Sequence, residues 1–104
     1  WNEIDTLGPS HRSNHRMILD TERERIVLFG GLTSETVNGN SIVEKRLHDT
    51  WEWDGVLWRE VTPDGPQGRY RHTMAYDGRR NAALLFGGIG SQPYGDTWLY
   101  RVEE

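Results

Sequence analysis

A chain of 104 residues holds one domain, and a core of this size withdraws only about two-thirds of the unfolded surface from water, which excludes large multidomain enzymes. Twelve Lys and Arg against sixteen Asp and Glu give a formal net charge of -4, and 35% of residues are hydrophobic, five of them Trp. Such a chain is expected to fold, and its acidic balance argues against a nucleic-acid partner. Zero Cys rules out disulfide frameworks, Cys-ligated zinc and a cysteine nucleophile, while leaving the compartment open. The longest apolar run, Ala82 to Phe86, is far too short for a membrane span or a signal-peptide core. A first residue Trp1 rather than Met is what a processed or excised chain shows.

The chain repeats itself. Residues 1 to 31 align without a gap on residues 58 to 88 at an offset of 57, matching Trp1 with Trp58, Gly8-Pro9 with Gly65-Pro66, Arg12 with Arg69 and His15 with His72. Leu28-Phe29-Gly30-Gly31 falls on Leu85-Phe86-Gly87-Gly88, after which Asp49-Thr50-Trp51 meets Asp96-Thr97-Trp98 at an offset of 47. Two copies of one unit fill the sequence: 1–57, an N-terminal outer strand plus a first blade-like unit, and 58–104, a second. A period of about 50 residues built from strands points to a propeller blade rather than a helical solenoid.

Taken from the N-terminus, Trp1-Asn2-Glu3-Ile4 corresponds to Trp58-Arg59-Glu60-Val61 and reads as a fourth strand. A turn at Asp20 to Arg23 precedes Ile26 to Phe29, apolar at successive positions and so a strand covered on both faces. Residues 32 to 48 follow, with Asn38-Gly39-Asn40 at the centre of a small projecting hairpin. Thr50 to Trp53 and Leu57 to Val61 flank Asp54-Gly55 as third and fourth strands. In the second unit, residues 70 to 76 alternate with His72, Met74 and Tyr76 on one face. Asp77-Gly78 turns the chain into Ala82 to Phe86, and Thr97 to Val102 is a third strand with an open edge. An up-and-down meander places the short turns at one end and residues 5 to 12, 32 to 48, 62 to 69 and 89 to 95 at the other. That long-loop end is the expected binding face.

The paired glycines in Leu-Phe-Gly-Gly, then Asp-Thr-Trp, then a Trp opening the next strand, resemble kelch repeats, twice over. A WD40 reading of Trp53-Asp54 fails, because the equivalent position is Tyr100-Arg101. The resemblance implies an all-β propeller in which four-stranded blades ring a channel. It also implies two classes of function. One is a non-catalytic scaffold for protein, glycan or acidic ligands. The other is a carbohydrate- or small-acid-processing enzyme with a site at the channel mouth.

No catalytic cluster stands out. No Gly-x-Ser-x-Gly elbow, zinc-binding His-Glu pair or phosphate loop occurs, and His11 and His15 on a strand lie about 13 Å apart, too far to share an ion. No metal or cofactor is expected. His15 and His72, recurring at one position, read as a structural hydrogen bond. Asp49 and Asp96, each two residues before Trp51 or Trp98, read as loop ties accepting backbone N–H groups. Gly30, Gly31, Gly87 and Gly88 read as structural, Gly alone allowing positive φ and close approach. Arg12 and Arg69 carry two readings: forks that tie adjacent loops, or, with Arg71 and the nearby Arg16, a ring of positive charge at the channel mouth. Ligand-binding candidates are therefore Arg12, Arg69, Arg71, Asn38 and Tyr94.

Two blades expose apolar outer faces, so the chain is expected to self-associate. Three copies complete six blades as a cyclic homotrimer, with four copies and eight blades as the next closed ring. The strand order 4, 1-2-3, 4, 1-2-3 further suggests exchange, with residues 1 to 5 of one chain pairing with the third strand of its neighbour.

Overall fold

The structure, a computed structural model, describes residues 1–4 and 6–102. Two antiparallel sheets and no helix make up the described residues. The first sheet is a meander of β1 (Arg16–Asp20), β2 (Arg25–Val37), β3 (Ser41–Trp53) and β4 (Trp58–Glu60) in that order. The second contains β5 (Thr73–Asp77), β6 (Ala82–Phe86) and β7 (Thr97–Tyr100). β4, which opens the second sequence unit, belongs to the first sheet, so the repeat in the sequence and the repeat in space are one strand out of phase.

Turn chemistry sets the meander. Asp20 Oδ1 accepts the backbone N–H of Glu22 and Arg23, both at 3.1 Å. Asp77 Oδ1 does the same for Arg79 and Arg80 at 3.0 and 3.3 Å, and Asp54 Oδ1 for Val56 and Leu57 at 2.8 and 2.9 Å. Each side chain stands in for a backbone acceptor, so a carboxylate closes each of these three connections. The pairs Asp20↔Arg25, Trp53↔Trp58 and Asp77↔Ala82 make all three loops four residues long. Asp54-Gly55 and Asp77-Gly78 thus open four-residue loops. Glu24 and Asn81, equivalent in the repeat, both take a left-handed φ at 55° and 51°.

Residues 32 to 48 do form a hairpin. β2 and β3 stay paired from Gly31↔Leu47 to Val37↔Ser41, with a bulge between Phe29 and Gly31 that separates this ribbon from the sheet proper. Asn38 and Gly39 make its tip with φ of 55° and 77°, both left-handed as a tight hairpin turn requires. Expected boundaries shift: residues 1 to 4, read as a strand, form none within the single chain, and β4 runs Trp58–Glu60 rather than Leu57 to Val61. β5 begins at Thr73 rather than Tyr70, because Arg71 at φ 58° breaks the extended run, and Tyr70 makes only an isolated bridge to Ile89. β7 stops at Tyr100.

The core lies between the sheets. In β2 the alternation sends Val27 and Phe29 toward the second sheet, where Ala83 and Leu85 of β6 meet them. Their exposures are 1%, 4%, 3% and 5%. Fully burying four such side chains is worth about 1.5–3 kcal/mol for each of the larger ones. β1 and β5 are the strands brought together where the sheets meet.

Candidate functional site

Every long connection gathers at one end of the molecule, and a repeated three-residue device braces it. Arg12 Nη1 and Nη2 donate to the two carboxylate oxygens of Asp49 at 2.7 and 2.9 Å, and Nη1 also reaches Gly30 O at 3.1 Å. The Trp51 indole Nε1 donates to Asp49 Oδ2 at 2.8 Å. In the second unit Arg69 forks Asp96 at 2.6 and 3.0 Å, reaches Gly87 O at 2.9 Å, and the Trp98 indole completes the set at 2.8 Å. A planar guanidinium matches a carboxylate bidentately, which makes this the strongest neutralised tie available to a loop.

The protonation states follow. The Arg69 fork holds the Asp96 carboxyl down at about 2, against a smaller opposing effect of burial. Burial acts to raise Asp49, but the hydrogen bonds from Arg12 and Trp51 outweigh it and the carboxyl sits below its ordinary value. Both aspartates therefore stay ionised across the physiological range.

These contacts locate the sequence candidates. Arg12 and Arg69 are loop ties whose forks are occupied within the chain, their side chains only 3% and 0% exposed. Asp49 and Asp96 are tied chiefly by Arg side chains and by the Trp two residues on, with each aspartate's own backbone N–H adding to the set. The recurrence of Arg12 with Asp49, and of Arg69 with Asp96, was the signal for that pairing. Tyr94 lies under Arg69, its ring 4.2 Å from the guanidinium carbon, a cation–π contact that seats the buried charge. Arg71 is exposed at the base of the long-loop end, where its N–H donates to Asn14 O at 3.0 Å. Asn38 is exposed at the ribbon tip. The candidates therefore fall into a braced base and a projecting tip.

His72 is fully buried, and its Nε2 donates to Phe29 O of the other sheet at 2.8 Å. The Phe29 ring packs edge-on against it, centroids 5.6 Å apart. Burial pushes its pKa down to about 4 despite that bond, so His72 is a neutral structural donor, and its Nδ1 has no partner. His15, at the same repeat position, is half-buried, and burial followed by Arg12 and Arg16 lowers its pKa too. The ribbon base is anchored by Arg46 Nη1, which donates to Gly90 O of the second unit at 3.2 Å, and by Arg69 N donating to Leu47 O at 3.2 Å.

At the opposite end lies a network the repeats reveal only in part, its Arg23–Asp20 bond recurring as Arg80–Asp77 at 2.7 Å. Arg23 forks Glu52 at 3.0 and 2.9 Å and donates to Asp20 at 2.9 Å, while the Tyr100 hydroxyl donates to Glu52 at 2.5 Å. Glu52 and Tyr100 face each other across the two sheets, and Leu99 and Trp53 stand at their repeat positions, so self-comparison hides the pair. Burial raises the Tyr100 hydroxyl, and the Glu52 carboxylate adds to the shift. Among the described residues, no group of three or more His, Cys, Asp or Glu is placed to hold a metal ion. No protein-family model matches the chain.

Proposed function

We propose that this chain is a pair of kelch-type propeller blades that works as a non-catalytic binding scaffold, presenting the ribbon of residues 32 to 48 to a protein, glycan or acidic ligand. The observation that carries this reading is the contrast between the two units. The Arg–Asp–Trp tie is the same in both, yet only the first extends its central strands into a ribbon, where the second has the short connection 87–96. A non-repeating element on a repeated, braced frame is how recognition surfaces are built on rigid scaffolds.

The proposal includes assembly into a six-bladed homotrimer in which the N-terminal strand is exchanged. The structure offers a template for the exchange: β4 pairs with β3 through Trp51↔Glu60, Glu52↔Arg59 and Trp53↔Trp58. Applied to β7, that register sets Trp98 opposite Glu3, Leu99 opposite Asn2 and Tyr100 opposite Trp1 of a neighbouring copy. Trp1 is fully exposed in the single chain.

Thr33 and Lys45 are cross-strand partners, so replacing residues 34 to 44 by Asn-Gly shortens the ribbon without breaking register. The shortened protein is expected to keep its melting temperature to within a few degrees and to lose binding on a glycan array or an acidic-peptide array. Retained binding together with turnover of an oligosaccharide or a small sugar acid overturns the scaffold reading in favour of the enzyme.

A further inference from the structure

The repeat makes the two outward faces of the molecule directly comparable with its inner ones. Cross-strand partners share a face, so the front of the first sheet carries Met17, Leu19, Ile26, Leu28, Trp51 and Trp53. Their equivalents on the second sheet form the face that packs against β2. The back of the second sheet carries Leu84, Phe86 and Leu99, and the equivalents of its first two residues are Val27 and Phe29. Leu28 and Leu85 at the sheet centres are buried alike, at 4% and 5% exposed, and the two copies differ at positions around them. Phe29 is 4% exposed and Phe86 55%, and Met17 and Leu19 are 49% and 55% exposed.

We infer that the back of the second sheet is a docking surface for the front of the first sheet of a second copy, in the register the chain already uses between its own sheets. This rests on the blade reading above and adds the polarity and the atomic pairing of the contact. Within the chain, His72 Nε2 donates to Phe29 O at 2.8 Å, Gly31 N to Arg69 O at 2.9 Å, and Arg69 N to Leu47 O at 3.2 Å. Carried across the boundary, His15 of the second copy donates to Phe86 O. Gly88 N donates to the second copy's Arg12 O, and that residue's own N–H to Tyr94 O.

Three observations support this pairing. A Cβ on Gly30 would meet Arg69 O at 2.8 Å and His72 Cε1 at 3.1 Å, whereas one on Gly87 meets nothing nearer than Tyr94 O at 3.4 Å. The space over Gly87 is that which the arginine backbone and histidine ring fill over Gly30. His15, the residue assigned to it, is only half-buried, whereas His72 at the equivalent position is fully buried. Finally, the polar pair inside the chain, Glu52 with Tyr100, is replaced by Leu99 on the back and Trp53 on the front. Both members change from polar to apolar together, as facing positions in one interface must to leave no charge unmatched.

A front-to-back contact is heterologous, and a complementation experiment reads its polarity. Met17→Arg blocks the front and Phe86→Arg the back, both at positions exposed in the single chain, and circular dichroism checks the fold of each. Each variant alone is expected to run as a monomer in size-exclusion chromatography with light scattering. Mixed one to one, they are expected to form a dimer of one of each that grows no further. In the unmodified protein, His15→Ala is expected to weaken association roughly tenfold, and His15→Gln, which keeps a donor, to restore part of it. If the native chain assembles but either variant keeps its mass, or the mixture gives no mixed dimer, the polarity is overturned and the ring reading survives. A native chain that is monomeric at every concentration overturns both.

Discussion

Arg69 shows what a single residue does here. Its side chain is wholly buried, and it is matched by Asp96, by Gly87 O and by the Tyr94 ring. Removing one partner of such a pair strands the other, which costs more than the pair itself contributes. Arg69→Ala is expected to destabilise the fold by about 3 kcal/mol, a fall of roughly 15 °C in melting temperature for a domain of this length. Arg69→Lys keeps the charge but loses the fork and is expected to fall between. His72 gives a second prediction, in pH. Its folded pKa of about 4 lies below the ordinary 6.5, so the unfolded chain binds the extra proton first. Stability is therefore full above pH 6.5 and declines as pH falls toward 4, by about 3 kcal/mol in all. His72→Gln is expected to flatten that part of the curve in denaturant titrations run from pH 7 to 4, and an unchanged slope assigns the acid sensitivity elsewhere.

At the scale of the element, much was legible because turns and alternation are local. Asn38-Gly39-Asn40 between two β-prone stretches marks the ribbon, and the apolar runs 26 to 29 and 82 to 86 mark the central strands. The start of β5 was not legible, since the left-handed Arg71 and the Tyr70–Ile89 bridge depend on a loop folding back from the far side of β6. Asp-Gly marks the turns, while their length of four residues is set by aspartate side chains that capture two N–H groups downstream. The candidate site divides in the same way. Arg12, Arg69, Asp49 and Asp96 stand out by recurrence, whereas Glu52 and Tyr100 meet only because two sheets face each other. Their network predicts that Glu52→Gln, which keeps the shape and removes the charge opposite Arg23, loosens the sheet–sheet contact. Hydrogen exchange is expected to rise in β3 and β7 while β1 and β2 stay protected. Protection unchanged in β7 separates Tyr100 from the coupling.

For the molecule as a whole, the front face, the back face and the β7 edge all lead to the same expectation: an isolated chain is an incomplete object. Light scattering is expected to give three times the 12.1 kDa chain mass, and a stable monodisperse monomer ends the ring proposal. Deleting residues 1 to 5, or making Trp1→Ala, is expected to lower the assembly midpoint far more than trimming residues 103 and 104. A truncated chain that forms the same oligomer with unchanged melting assigns assembly to the sheet faces alone.

The ribbon also changes what it means to break the chain. Its tip holds the sequence's one Asn-Gly bond, Asn38-Gly39, exposed and unhindered, with nothing within 4 Å of a Cβ built on the glycine. A cut there separates residues 1–38 from 39–104 at the point farthest from the core. The β2–β3 ladder from Ile26↔Trp53 outward still holds the two pieces in register. The two halves are therefore expected to stay associated, and the tip is where new ends, or a whole inserted domain, are expected to leave the sheets undisturbed.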